Sequence, residues 1–444
     1  MNTSRRGFLA MNGAALGASL LPRRLLAAVE SRSSPMPRLD DWAKVRAQFR
    51  LAPDYVHLAG FYIASHPAPV RAAIDAFRQA IDENPFLVVE RGMFESQAQN
   101  LQRKVREDVA AYLGGSQEEI ALTPNTTTGL ALVYHGLPLR PGDEVLVTTH
   151  DHFSHHEAIR FATERNGASV RKFALFDEAS TATVDGIVTR VHDAVRPATR
   201  VLGITWVHSS TGMRLPVRQI AEALREVNRG RAGNERVLLV VDGVHGLGAA
   251  DETVAAMGCD FFCAGAHKWI FGPRGTGIVW ARAENWARLK PLIPSFSDSE
   301  LFTAWTEERP PAGPSNANQV TPGGFLAFEH QWAMGAAFRM HQQMGRARVA
   351  GRIRELNGRC KAGLQEIRAV KLHTPLDPEL SAGICCFEVE GLSPDAVVKA
   401  LLARKIVAST SPYKVSYARL AAGLFNTPKE VDTAVAAVRT LATA

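Results

Sequence analysis

The sequence predicts an α/β protein: a mainly parallel central sheet with helices on both faces, and a smaller α/β C-terminal lobe. Three observations carry this. From about Pro67 to Ala281 helical stretches alternate with short apolar extended ones, the signature of repeated βαβ units. The run Val237-Leu-Leu-Val-Val241 is purely apolar, as expected of a strand covered on both faces, and it closes on Asp242, at the carboxyl end where open α/β sheets place ligands. The length, 444 residues, suits two folding units or one large body with a lobe.

Taken in order, residues 1–28 read as an address segment, 29–66 as an N-terminal piece, 67–310 as the large domain, and 311–444 as a linking helix and small domain. Within the large domain the periodicity predicts helices over 68–81, 97–113, 157–166 and 217–227, with strands over 119–122, 144–147, 170–173, 201–206 and 237–241. A further strand is expected at Asp260-Phe-Phe-Cys263. Residues 84–94 read as a loop, and the polar, proline-rich stretch 296–316 as a long irregular connection. Beyond it come a linking helix over 325–344, an alternating strand over 383–390, a helix over 394–403, a strand over 414–420 and a closing helix over 428–441.

Composition argues against one function class, nucleic-acid binding. The net charge is +7, but Arg5, Arg6, Arg23 and Arg24 lie in a leader without acids, and +7 less these four is +3. With no basic run interleaved with aromatics, nucleic-acid binding has no support. Ser4-Arg5-Arg6-Gly7-Phe8-Leu9, followed by a Gly/Ala-rich apolar segment to Leu21 and by Pro22-Arg-Arg, looks like a twin-arginine export leader. The segment is too short to span a ~30 Å hydrocarbon core, so periplasmic localisation with removal near Ala27-Ala28 is expected. The five cysteines are odd in number and irregularly spaced, which predicts no disulfide framework.

Two motifs carry the chemistry. Asp242-Gly-Val-His245 ends a strand, and Ala264-Gly-Ala-His-Lys268-Trp places a lysine in a small-residue turn after another. Alone, an Asp after a strand is most often a turn or capping residue and a Lys most often a surface charge. Together they resemble class V aminotransferase-fold enzymes of PLP fold type I, closest to the isopenicillin N epimerase-like branch through Ser209-Ser-Thr-Gly212 and His267-Lys-Trp269.

The resemblance implies pyridoxal 5′-phosphate bound to Lys268, which also serves as catalytic base, and Asp242 on the ring nitrogen. It implies His245 and Ser209 near the phenolic oxygen, although the family more often has Asn at the latter position. Thr126 and Thr127, where a strand turns into a helix, resemble the phosphate loop, simple helix capping being the alternative. Thr321 resembles a threonine that reaches the neighbouring subunit's phosphate, implying a homodimer. His152, within His150-Asp-His-Phe-Ser-His-His156, would stack on the cofactor. The alternative is a metal bound by His152 and His156 on one helix face, although no further ligand pattern completes such a site. Arg419 matches the arginine that grips a substrate carboxylate, and the resemblance implies that the N-terminal piece 29–66 packs with the small domain.

The expected reaction is α-proton chemistry on an amino acid or peptide-bound amino acid, amino-group transfer first, with epimerisation or carbon–sulfur lysis as alternatives. Residues 387–418 contain no cysteine, which argues against desulfuration by an enzyme thiol. The export leader suggests tailoring of a siderophore and implies the twin-arginine translocase as a partner. A binding protein that kept the fold without catalysis is the competing class.

Overall fold

The computed structural model describes residues 36–94 and 100–443, so the arginine-rich leader lies outside the described residues. The strands are β1 (Val56–His57), β2 (Ile120–Thr123), β3 (Glu144–Thr148), β4 (Ser169–Phe173), β5 (Thr199–Thr205), β6 (Leu238–Asp242), β7 (Phe261–Gly265), β8 (Gly277–Ala281), β9 (Val370–Leu372), β10 (Cys385–Val389), β11 (Ile406–Val407), β12 (Ser409–Thr410) and β13 (Ala418–Leu420). The principal helices are α1 (Ala68–Glu83), α2 (Pro85–Phe94), α3 (Leu101–Leu113), α4 (Thr126–Gly136), α5 (Phe153–Asn166), α6 (Val184–Ala194), α7 (Val217–Asn228), α8 (Phe328–Met344), α9 (Arg346–Gln365), α10 (Pro394–Ala403) and α11 (Pro428–Leu441).

The large sheet runs β2-β8-β7-β6-β5-β3-β4. All neighbours are parallel except β8, which is antiparallel to both β2 and β7. Alternation along each strand sends side chains into two cores. Leu202, Ile204, Leu239, Val241, Phe262 and Ala264 face a cluster built with α1, α3, α6, α7 and α8. Val201, Leu238, Val240, Phe261 and Cys263 face one built with α4 and α5. Each fully buried apolar side chain contributes about 1.5–3 kcal/mol, which gives the scaffold a reserve for polar groups at the strand ends.

The small lobe is a four-stranded antiparallel sheet, β12-β13-β10-β9. It packs α9, α10 and α11 on one face. Cys385, Phe387 and Val389 point into that core, whereas Cys386 points to a second cluster with Trp269 and Phe271 of the large domain. The N-terminal strand β1 pairs in parallel with β11 of the lobe.

Several expectations need correction. Residues 84–94 are not a loop, because Pro85 opens the helix α2, whose Val88 and Met93 are buried. The stretch 296–316 holds a helix, Ser299–Thr306, capped by the Asp298 side chain. The strand expected over 414–420 is confined to Ala418–Leu420. Ser416 Oγ donates to the Ser411 carbonyl and Ser411 Oγ accepts from the Tyr417 N–H, folding 411–416 into a turn. The helix α5 begins at Phe153 because the His152 ring caps it.

Candidate active site

The carboxyl ends of β2, β3, β5, β6 and β7 lie along one edge of the large sheet, and each leads into a segment singled out by the sequence. Register fixes the depth of the centre: Thr205 on β5 pairs with Asp242 on β6, which pairs with Cys263 on β7. Asp242 is 2% exposed, and its Oδ1 accepts from the Val244 N–H at 3.1 Å. Burial pushes its pKa up, opposed first by His155, then by the Val244 N–H, Lys268 and His152.

Lys268 follows β7. Its Nζ lies 2.9 Å from His245 Nε2. Burial holds the amine down to about 8, with Asp242 opposing and Arg419 adding to the shift. His245 is held well below its ordinary value by burial, then by Lys268 and Arg419, so a neutral imidazole accepts from the amine. Its Nδ1 is buried without a partner. One face of this ring meets Phe61, which the N-terminal segment supplies at 5.6 Å.

The small lobe closes the opposite side. Arg419 on β13 is 3% exposed and donates to the Ser209 carbonyl at 2.9 Å and the Thr410 carbonyl at 2.6 Å, with its guanidinium 4.9 Å above the Phe61 ring. Its Nε is buried and unpartnered. Ser209 Oγ and the Tyr413 hydroxyl are 2.8 Å apart. The His152 ring stands edge-on to Tyr413 at 6.1 Å, and its Nδ1 accepts from the Ser154 N–H. His156 Nε2 bonds instead to the Thr148 carbonyl, and no group of three or more metal-ligating side chains occurs among the described residues.

At the β2–α4 turn Asn125, not a threonine, caps the helix by accepting from the Thr128 N–H. Thr126 Oγ1 accepts from the Gly265 N–H at 2.8 Å, tying this helix start to the end of β7, and Thr127 is exposed on the first turn. A Cβ at Gly265 would crowd both the His267 ring and Thr126 Oγ1, so glycine keeps a cradle open there. Thr321 is 1% exposed, accepting from the Leu122 N–H and donating to the Ala317 carbonyl. Its hydroxyl serves this chain's own backbone.

One edge thus gathers Lys268, Asp242, His245, His152, Ser209, Thr126, Thr127 and Arg419, while Thr321 bonds to the backbone of β2 at Leu122. Sequence reasoning missed Tyr413, Phe61 and His267. His267 had a signal, its place beside Lys268, and burial lowers its pKa to about 4. The other two come from distant segments with no local motif.

The chain matches the model of the aminotransferase class-V family over residues 64–432. It belongs to that family. It is therefore a pyridoxal 5′-phosphate-dependent enzyme with the α/β fold type I architecture. It is 28% identical to the isopenicillin N epimerase of Amycolatopsis lactamdurans, covering 78% of this chain and 84% of that protein. A probable cysteine desulfurase of Methanothermobacter thermautotrophicus is 26% identical over 80% and 84% of the two chains. Among solved structures, a C-DES variant with glycine covalently linked to its PLP cofactor superposes with TM-score 0.76 at 20% identity, covering 89% of this chain and 98% of that one.

The residues present fit the cofactor. At this edge stand the depressed Lys268 amine, the buried Asp242 carboxylate, an imidazole face, a helix start carrying two threonines beside an open glycine, and unpartnered N–H groups at His245 and Arg419.

Proposed function

We propose that this family member moves the α-proton of an amino acid or peptide-bound amino acid. The observation that carries this is the half-buried Lys268 amine, depressed to about 8, with one hydrogen-bond partner and the Asp242 carboxylate nearby. The bound cofactor would supply an electron sink for the charge left at Cα. Lys268 would hold it covalently and, once displaced by the substrate amine, take and return the proton at Nζ. Asp242 would keep a proton on the ring nitrogen, while His152 would offer a stacking surface. His245 and Ser209 would meet the phenolic oxygen, and Thr126 and Thr127 with the start of α4 would meet the phosphate. Arg419 would bind the substrate carboxylate through N–H groups not spent on Ser209 and Thr410. A homodimer in which Thr321 reaches toward the neighbouring phosphate would first require that hydroxyl to leave its present partners.

The epimerases among the relatives support epimerisation as the outcome, beside the amino-group transfer that the sequence put first. All five thiols are buried and free, which speaks against desulfuration through an enzyme cysteine. Export by the twin-arginine route, and with it siderophore tailoring, rests on the leader sequence. Incubating the holoenzyme with a panel of amino acids in D2O tests the core reading. Exchange of the α-hydrogen is expected, with a 2-oxo acid changing the product only if amino transfer occurs. No exchange with any amino acid or siderophore peptide would overturn it. Fusing residues 1–28 to a reporter tests export, and a reporter retained in the cytoplasm contradicts it.

A further inference from the structure

Two bonds between the lobes converge on one serine of the site. Ser209 lies just beyond β5, in a loop whose backbone is closed by the His208 N–H donating to the Met213 carbonyl and the Gly212 N–H donating to the His208 carbonyl, both at 2.8 Å. The small lobe grips this residue twice. Arg419 on β13 donates to its carbonyl at 2.9 Å, and the Tyr413 hydroxyl lies 2.8 Å from its Oγ. Ser209 is 5% exposed, and among the described residues Tyr413 is the partner of its hydroxyl.

Tyr413 is itself held in place. Its N–H donates to the Ser411 carbonyl at 3.0 Å within the turn that Ser411 and Ser416 close, and its ring meets the His152 ring edge-on. The charged groups acting on its hydroxyl are Asp242 at the end of β6, Asp151 ahead of α5 and Arg419 on β13. Burial pushes the phenol's pKa up, with the Ser209 bond opposing, so the hydroxyl keeps its hydrogen across the neutral range.

Counting hydrogens decides what the pair can do. Each hydroxyl carries one. The bond between the two spends one of them and leaves a single O–H for a third group. A serine hydroxyl alone turns among staggered positions, and the tyrosine removes that freedom. A hydroxyl that already accepts from a second one is also polarised by it and donates more strongly. Ser209, His152 and Arg419 belong to the machinery assigned above, whereas Tyr413, which touches the first two, has no part in it so far.

We propose that Tyr413 is a positioning residue for Ser209: its hydroxyl donates to Ser209 Oγ and aims the serine hydrogen at the phenolic oxygen of the bound cofactor. The inference rests on the role proposed for Ser209. It gives the small lobe a second part in the site, carried by a turn, beside the one that Arg419 plays from a strand.

The test uses holoenzyme and needs no substrate. Wild type, Ser209→Ala, Tyr413→Phe and the double variant are loaded with pyridoxal phosphate, and the pH midpoint of the bound cofactor's visible absorbance is measured beside the melting temperature. A donor at the phenolic oxygen favours its charged form, so losing that donor should raise the midpoint. Ser209→Ala is expected to raise it by about one pH unit and Tyr413→Phe by about half a unit. Because the tyrosine acts through the serine, the double variant should show the Ser209→Ala shift and no more. Shifts that add in the double variant would overturn the proposal. So would a Tyr413→Phe midpoint equal to wild type while Ser209→Ala moves it, and a lower melting temperature beside that unmoved midpoint leaves a packing role. Should Tyr413→Phe not fold, Tyr413→Leu takes its place with the same expected shift. An unmoved midpoint in Ser209→Ala overturns the role of Ser209 on which this inference stands, and a wild type that binds no pyridoxal phosphate overturns the proposed function itself.

Discussion

A buried lysine and a half-buried one teach what distinguishes a structural site from a reactive one. Lys361, on α9 in the small lobe, is 5% exposed and gives its three donors to the Pro375 carbonyl at 2.8 Å, the Leu376 carbonyl at 3.1 Å and Ser381 Oγ at 2.6 Å. Lys268, at the edge of the large sheet, has one partner, the His245 ring. Burial lowers the pKa of both. An ammonium has three donors. Where all are spent the lysine is a clamp joining a helix to a loop, and where two are left over the amine is available for chemistry. The same contrast separates Arg419, with a buried unpartnered Nε, from Arg214, whose guanidinium meets Glu252, Glu379 and the Glu379 carbonyl.

The largest expected effect falls on Lys268. Lys268→Ala should abolish the cofactor's visible absorbance and slow α-hydrogen exchange at least ~10³-fold, by loss of both the covalent link and the base. Measuring the spectrum beside that of Lys361→Met sharpens the contrast, and equal losses in the two variants would break it. Next is Arg419→Ala, which should raise KM for a carboxylate substrate about 10²-fold with a smaller change in kcat, whereas Arg419→Lys restores charge without the fork and recovers only part. Steady-state kinetics on the first substrate found would check this.

The pH dependence follows from sign. The folded Lys268 releases its proton near 8 instead of 10.5, so the apoprotein should react with pyridoxal phosphate faster as pH rises, with a midpoint about 8. The unfolded chain still holds that proton between about 8 and 10.5, so the apoprotein should also gain stability across this window, and Lys268→Met should lose that gain. Denaturant titrations at several pH values would show it. The smallest effect is that of Lys361→Met. It leaves the Pro375 and Leu376 carbonyls unpaired and should cost about 1–3 kcal/mol of stability by urea unfolding, with the cofactor spectrum unchanged.

Much of the site was legible because its parts are local. Asp242 and Lys268 each stand in a short strand–turn motif whose register the apolar run dictates, and Thr126 marks a strand-to-helix turn. The parts that were hidden depend on distance. Tyr413 enters through a turn that Ser411 and Ser416 close by side-chain bonds, where the apolar pattern suggested continuous strand. Phe61 arrives with a segment anchored by pairing to β11, some 350 residues away. The sheet was legible where strands are apolar and parallel. The antiparallel strand β8 was not read, and α9 went unread although Val349, Ile353, Leu356, Cys360 and Leu364 repeat at helical spacing, since Gly351, Gly358 and Gly363 interrupt the pattern.

The account stands or falls on which lysine meets the cofactor. Holoprotein reduced with borohydride and mapped by peptide mass spectrometry should carry the pyridoxyl group on the peptide containing Lys268 and none on the peptide containing Lys361. A reduced protein without the adduct, or with it on another lysine, would contradict the assignment.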